Sequence, residues 1–222
     1  IDEVLKRGMA SLSPDAFEAA ANETGALVLD VRHQDEFVKG HIPRSIFIGL
    51  NGDFAPWVGA LIADVKQPIL LVTPAGKEKE TVTRLSRVGF DNTLGVLKGG
   101  FKAWENAGKD IDTIKALTAK EAKDTLEGKH LPIFDVRKAS EYNTEHFIDS
   151  NNDPLDTLND HLAEFPKNET FYLHCEGGYR SVIAASILKS RGIHNLVDIA
   201  GGFAEMKKSG MEVTDYICPT TQ

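Results

Sequence analysis

The chain has 222 residues, 41% hydrophobic and 26% charged, with a formal net charge of −8. That balance is ordinary for a water-facing globular protein, and the acidic excess argues against a nucleic acid or an anionic membrane as partner, since each wants a basic face. No apolar run approaches the roughly 18 residues of a membrane span, and two cysteines make no disulfide framework.

The opening Ile1-Asp2-Glu3 has neither an initiator Met nor a signal-peptide pattern, and reads as the start of a piece processed or excised from a longer chain. Ser13-Pro14-Asp15 predicts a helix start, with Ser13 as cap and Pro at the first helical position. The apolar run 26–31 predicts a buried strand. After it come Arg32, Glu36-Phe37 and Gly40-His41-Ile42-Pro43-Arg44-Ser45. Phe54, Trp57, Val58, Leu61 and Ile62 recur at helical spacing and predict a helix whose apolar stripe is core or interface. A second strand is predicted over 69–72, and the charged run 77–80 reads as a solvated turn. A third, over 94–97, ends near Gly99-Gly100-Phe101.

The second half repeats this order. Thr118 is a helix cap, and 133–136 predicts a strand leading to Arg137, Glu141-Tyr142 and His146-Phe147. Strands follow over 170–173 and 196–199, the last ending near Gly201-Gly202-Phe203. Two domains of one fold are expected, over 10–112 and 113–218, with 110–115 as connector. Alternating strands and helices imply α/β domains, each a mostly parallel sheet flanked by helices. Ligand sites in such sheets lie beyond the carboxyl ends of the strands.

Cys175 falls at such an end. It heads Cys175-Glu176-Gly177-Gly178-Tyr179-Arg180-Ser181, and a helical pattern runs on from Val182. Backbone N–H groups of 176–181 are expected to curl around the sulfur, and the positive end of the helix adds to their field. Both favour thiolate, the reactive form. Arg180 is expected either to contact an anionic substrate or to brace the loop. A reactive thiolate suits a reducing compartment, so a cytoplasmic setting is expected. No metal site is predicted.

Together these residues resemble the rhodanese-like sulfurtransferase family. The resemblance rests on Asp135-Val136-Arg137 with Glu141, on the Cys175 to Ser181 loop, and on Gly201-Gly202-Phe203. In the first copy it rests on Asp30-Val31-Arg32 with Glu36 and on Gly99-Gly100-Phe101. It implies a cysteine that accepts a sulfane sulfur as a persulfide, with no cofactor, and passes it to a thiol or cyanide. The partners would be a small-molecule sulfur donor, thiosulfate or glutathione persulfide, and a thiol acceptor. Cys175 is the expected nucleophile. Glu176, Gly177, Gly178, Tyr179, Arg180 and Ser181 are the expected substrate- and persulfide-binding residues. The family often has Gly-His-Ile-Pro-Gly-Ala after the first strand. Gly40 to Ser45 is close to it, and Glu145-His146-Phe147-Ile148-Asp149-Ser150 is looser.

The first copy has Thr73-Pro74-Ala75-Gly76-Lys77 where the second has its cysteine loop, and so is expected to be a pseudo-domain. Tandem members of the family often pair an inactive first domain with an active second. Such pairs also occur fused to a metallo-β-lactamase-fold persulfide dioxygenase, which the resemblance implies as an N-terminal partner in a full-length protein.

Asp135 and Arg137 recur as Asp30 and Arg32 in the copy without a thiol. They are therefore expected to be structural support, a salt bridge or loop anchor, as are Glu141 and Glu36. His174 is expected to pack rather than act as a base. Tyr179 and Glu176 are expected at the pocket mouth, where Glu176 would disfavour a strongly anionic donor. Cys218 lies in a polar tail and reads as an unremarkable thiol, with a resolving role as the alternative. Two rivals remain, a persulfide carrier or sensor and a Cys-dependent phosphatase. A phosphatase loop places five residues between Cys and Arg, and only four separate Cys175 from Arg180.

Overall fold

The computed structural model describes residues 2–218. Ile1 and the end of the polar tail, 219–222, lie outside them. The chain divides between Thr113 and Ile114 into two compact units.

The first unit runs α1 (Asp2–Gly8), β1 (Ser11–Leu12), α2 (Pro14–Thr24), β2 (Leu27–Asp30), α3 (Gln34–Lys39) and β3 (Ile46–Phe47). It continues through α4 (Phe54–Leu61), β4 (Ile69–Val72), α5 (Glu78–Ser86), β5 (Thr93–Leu97) and α6 (Gly100–Asn106). The second runs β6 (Ala116–Leu117), α7 (Ala119–Leu126), β7 (Ile133–Asp135), α8 (Ala139–Thr144) and β8 (Ser150–Asn152). After two 3-10 turns come β9 (Phe171–His174), α9 (Tyr179–Ser190), β10 (Leu196–Ile199) and α10 (Gly202–Lys208).

Both sheets are parallel and share one strand order, β1-β5-β4-β2-β3 and β6-β10-β9-β7-β8. The middle strands, β4 and β9, are buried along their whole length. Helices cover both faces of such a sheet, so the strands read as continuous apolar runs rather than alternating ones. Phe17, Leu70, Val72, Phe101 and Trp104 pack in the first core. Ile133, Phe147, Tyr172, Phe203 and Met206 pack in the second. Each side chain of this kind contributes about 1.5–3 kcal/mol when fully buried.

The six expected strands all form, their ends moved by no more than one residue. Ser13 caps α2 through its hydroxyl, and Thr118 and Glu121 cap α7 reciprocally. Two expectations need correction. The run 77–80 is no turn: the Thr81 N–H donates to the Lys77 carbonyl at 2.9 Å, and 78–80 opens α5. Tyr179 and Ser181 are likewise not loop: with Arg180 they form the first turn of α9, because Gly178 turns the chain at φ 94°.

The looser sequence after β7 keeps the backbone of its counterpart. Arg44 and Asp149 both adopt left-handed φ, 66° and 65°. His41 stacks on Phe37 and His146 on Tyr142, with ring centroids 3.9 and 3.7 Å apart. Ser45 and Ser150 each donate back to the carbonyl three residues earlier, at 2.6 and 2.7 Å.

Candidate active site

Cys175 directly follows β9, the middle strand of the second sheet, and is only 1% exposed. Its sulfur receives the Gly178 N–H at 3.1 Å and lies 3.6 Å from the Ser181 hydroxyl. Gly178 is the N-cap of α9, so the sulfur sits at the positive end of a 12-residue helix. A buried N–H and a helix terminus aimed at one atom favour negative charge there.

Phe203 and Ala204, at the start of α10, donate their N–H groups to the carbonyls of Cys175 and Glu176 at 2.7 and 3.2 Å. That approach leaves no space beside Gly202. A Cβ there would lie 2.3 Å from the Cys175 carbonyl oxygen, and the backbone is left-handed at φ 57°. Gly202 is therefore a steric requirement of the cysteine loop.

Arg137 and Arg180 flank the site, and both are held by carboxylates. The Arg137 Nε and Nη2 donate to Asp135 at 3.0 and 2.7 Å. Its Nη1 reaches Glu176 at 3.0 Å, and its guanidinium stacks 4.0 Å above the Phe203 ring. Arg180 grips Glu141 with both terminal nitrogens, at 2.6 and 2.9 Å. The Arg180 hydrogen bonds are the main reason the Glu141 carboxyl is held below its ordinary value, and burial works against them. Of the two roles foreseen for Arg180, the geometry corresponds to bracing. Glu176 is half-exposed and shares Arg137 with Asp135, so this cluster of two carboxylates and one guanidinium keeps a net negative charge. A pocket of about 340 Å³ opens beside these groups, lined by Arg137, Glu141, Glu145, Glu176 and Phe203 among others.

His174 is wholly buried, its Nδ1 3.2 Å from the Cys175 carbonyl oxygen and its Nε2 3.8 Å from Asp135. Burial outweighs the Asp135 charge and lowers its pKa, so the ring is neutral near pH 7. Cys218 is exposed and follows Ile217, whose N–H donates to the Thr144 carbonyl at 2.9 Å.

Sequence reasoning missed Asp198. It lies inside β10, 2% exposed, with its carboxyl hydrogen-bonded to the Ser181 side chain and to the Ile199 N–H. Its Oδ1 has no partner among the described residues, and burial pushes its pKa up to about 7. The signal was an acidic residue in the middle of an otherwise apolar strand.

The first unit keeps the frame without the thiol. Asp30 pairs in register with Val72 as Asp135 does with His174, so Thr73 stands where Cys175 does. Arg32 donates to Asp30 and to the Gly40 carbonyl at 2.6 and 2.8 Å, and lies 4.3 Å above Phe101. Val96, opposite Leu71, takes the place of Asp198, opposite Leu173.

Among proteins of known sequence, the tRNA uridine(34) hydroxylase of Buchnera aphidicola is 33% identical over 92 residues, which cover 39% of this chain and 30% of that protein. The putative sulfur carrier protein YrkF of Bacillus subtilis is 31% identical over 108 residues, 49% of this chain and 57% of the relative. The chain thus spans between about a third and three fifths of these relatives. A rhodanese-like domain protein of known structure from Staphylococcus aureus is 34% identical, with a TM-score of 0.41, and matches 46% of this chain over its own full length. The rhodanese-like domain model matches twice, at residues 13–107 and 118–209. With the doubled sheet order and the doubled Asp-Arg frame, that makes this chain a tandem member of the rhodanese-like domain family.

Proposed function

We propose that the second domain is a sulfurtransferase that moves a sulfane sulfur from thiosulfate or glutathione persulfide, through a Cys175 persulfide, to a thiol or to cyanide. The supporting observation is the setting of the Cys175 sulfur, buried at the carboxyl end of the middle strand with the Gly178 N–H 3.1 Å away. The thiolate attacks the outer sulfur of the donor. The donor's sulfur–sulfur bond breaks, and sulfite or a thiolate leaves with the electron pair. The persulfide anion then occupies the field of the Gly178 N–H and the α9 terminus, where one preorganised donor is worth about 3 kcal/mol. An acceptor attacks the outer sulfur and restores the Cys175 thiolate. The name of the Bacillus relative, a putative sulfur carrier, agrees with this chemistry. The first domain, with Thr73 at the thiol's position, takes no part in transfer.

The phosphatase reading loses support from the Arg180–Glu141 fork, since a phosphate would have to compete with Glu141 for that guanidinium. The test is thiocyanate formation from cyanide, with thiosulfate and glutathione persulfide offered separately to the wild type and to Cys175→Ser. Turnover with at least one donor, lost in the variant, is expected. No turnover alongside a Cys175 that gains one sulfur atom in mass would replace the transferase with a carrier. Hydrolysis of an aryl phosphate by an unmodified Cys175 would replace it with a phosphatase.

A further inference from the structure

Cys175, Ser181 and Asp198 form a line of three protonatable groups buried in the second domain. The sulfur is 3.6 Å from the Ser181 hydroxyl, and that hydroxyl is hydrogen-bonded to the Asp198 carboxyl. All three residues are nearly inaccessible to water. A hydroxyl has one proton to donate. When Ser181 donates it to an Asp198 carboxylate, its oxygen receives the Cys175 S–H. When Asp198 is a carboxylic acid and donates to Ser181, the Ser181 proton is free to turn toward a Cys175 thiolate.

We propose that Asp198 is a positioning residue that shares one proton with Cys175 through the Ser181 hydroxyl, the carboxyl holding the proton while the sulfur holds the charge. In the forward sense the Cys175 S–H bond breaks and its proton passes to the Ser181 oxygen. The Ser181 proton passes to Asp198. One negative charge moves from the carboxylate to sulfur, and nothing is oxidised or reduced. The reverse shift neutralises the sulfur once an acceptor has taken the outer atom. The inference rests on the Cys175 reading of the function but concerns the thiol itself.

The surrounding charges leave room for one negative charge on this pair. Arg180, which senses the Cys175 charge, is already bound to Glu141, and Arg137 to Asp135 and Glu176. His174 is kept neutral by burial. In the sheet, Asp198 is in register with Leu173 on β9 and Ala116 on β6. A second negative charge is therefore strongly disfavoured, and the two groups titrate as a unit.

The experiment is the pH dependence of Cys175 alkylation by iodoacetamide, quantified by mass spectrometry of the Cys175 peptide, in wild type and Asp198→Asn. The wild type is expected to gain reactivity in two steps separated by about one pH unit or more. Asp198→Asn has no carboxyl to share and is expected to show one step, with the upper step gone. One step at the same midpoint in both proteins overturns the proposal. The reciprocal measurement keeps the folded wild-type carboxyl: infrared titration of the Asp198 carboxylic acid in wild type and Cys175→Ala. Two steps are expected with the thiol present and one without it, and an unchanged titration also overturns the proposal. Neither readout requires sulfur transfer, so failure of the proposed function leaves both interpretable.

Discussion

Asp30 and Arg32 in the first domain repeat Asp135 and Arg137 in the second nearly bond for bond, yet only the second domain has a thiol beside them. In both, the arginine closes onto the aspartate, reaches back to a carbonyl eight residues on, and stacks over the phenylalanine that opens the last helix. The ion pair thus belongs to the frame. The residues that differ, Cys175 against Thr73 and Asp198 against Val96, sit on that frame without altering strand order, although β4 and β5 pair with a register shift between Ile69 and Leu70 that β9 and β10 lack. A domain of this kind can lack the thiol and keep its architecture.

The sharpest way to break the comparison is to remove the shared aspartates. Asp30→Ala strands the buried Arg32 and is expected to destabilise the first domain by about 3–5 kcal/mol, and Asp135→Ala should cost its own domain less, because Glu176 still pairs with Arg137 at 3.0 Å. Denaturant unfolding read by hydrogen exchange resolves the two domains. A Asp135→Ala protein of undiminished stability that no longer forms thiocyanate would move the pair from frame to chemistry.

The glycines should separate the domains rather than unite them. Gly202→Ala adds a Cβ 2.3 Å from the Cys175 carbonyl oxygen, whereas Gly100→Ala meets the Thr73 carbonyl at 3.5 Å. Both positions are left-handed, costing about 1–2 kcal/mol for any L side chain. Gly202→Ala adds an overpacking cost of about 1–3 kcal/mol, so its domain should be the more destabilised of the two. Equal losses in the same unfolding experiment would mean that the cysteine loop yields to α10.

The smallest effect is expected at the glutamates. Glu141 binds Arg180, while Glu36 accepts only the His33 N–H at 3.4 Å among its described hydrogen bonds. Glu141→Gln should cost about 1 kcal/mol, discounted because the pair is partly solvated, and Glu36→Gln less. The Glu141 carboxyl titrates below 4.5 in the folded domain, so its contribution is complete above that pH. It is lost as pH falls through the lowered folded value. Glu141→Gln should therefore flatten the acid limb of the second domain's stability curve.

The sheets were legible because their strands are short apolar runs that recur in order, and the loop because Cys175 stands between a strand and a helix. The Lys77 helix start was hidden by Pro74, Gly76 and a run of charges, although Val82 and Leu85 carry its buried face. Partnerships that join distant segments were beyond local reading. Arg180 could be given two roles from sequence, and its ion pair with Glu141, 39 residues away, is visible only in the fold. Asp198 was lost within a strand pattern, since its meaning depends on Ser181 lying on a different element.

The stitching of the cysteine loop to α10 has a consequence for synthesis. The carbonyls of Cys175 and Glu176 receive their hydrogen bonds from Phe203 and Ala204, near the end of the described chain. As the chain leaves the ribosome, the first domain is complete long before these residues emerge. The thiol exists early, but the backbone around it closes only when the last helix arrives. The backbone setting of the Cys175 sulfur is thus completed only after the last helix of its own domain has emerged.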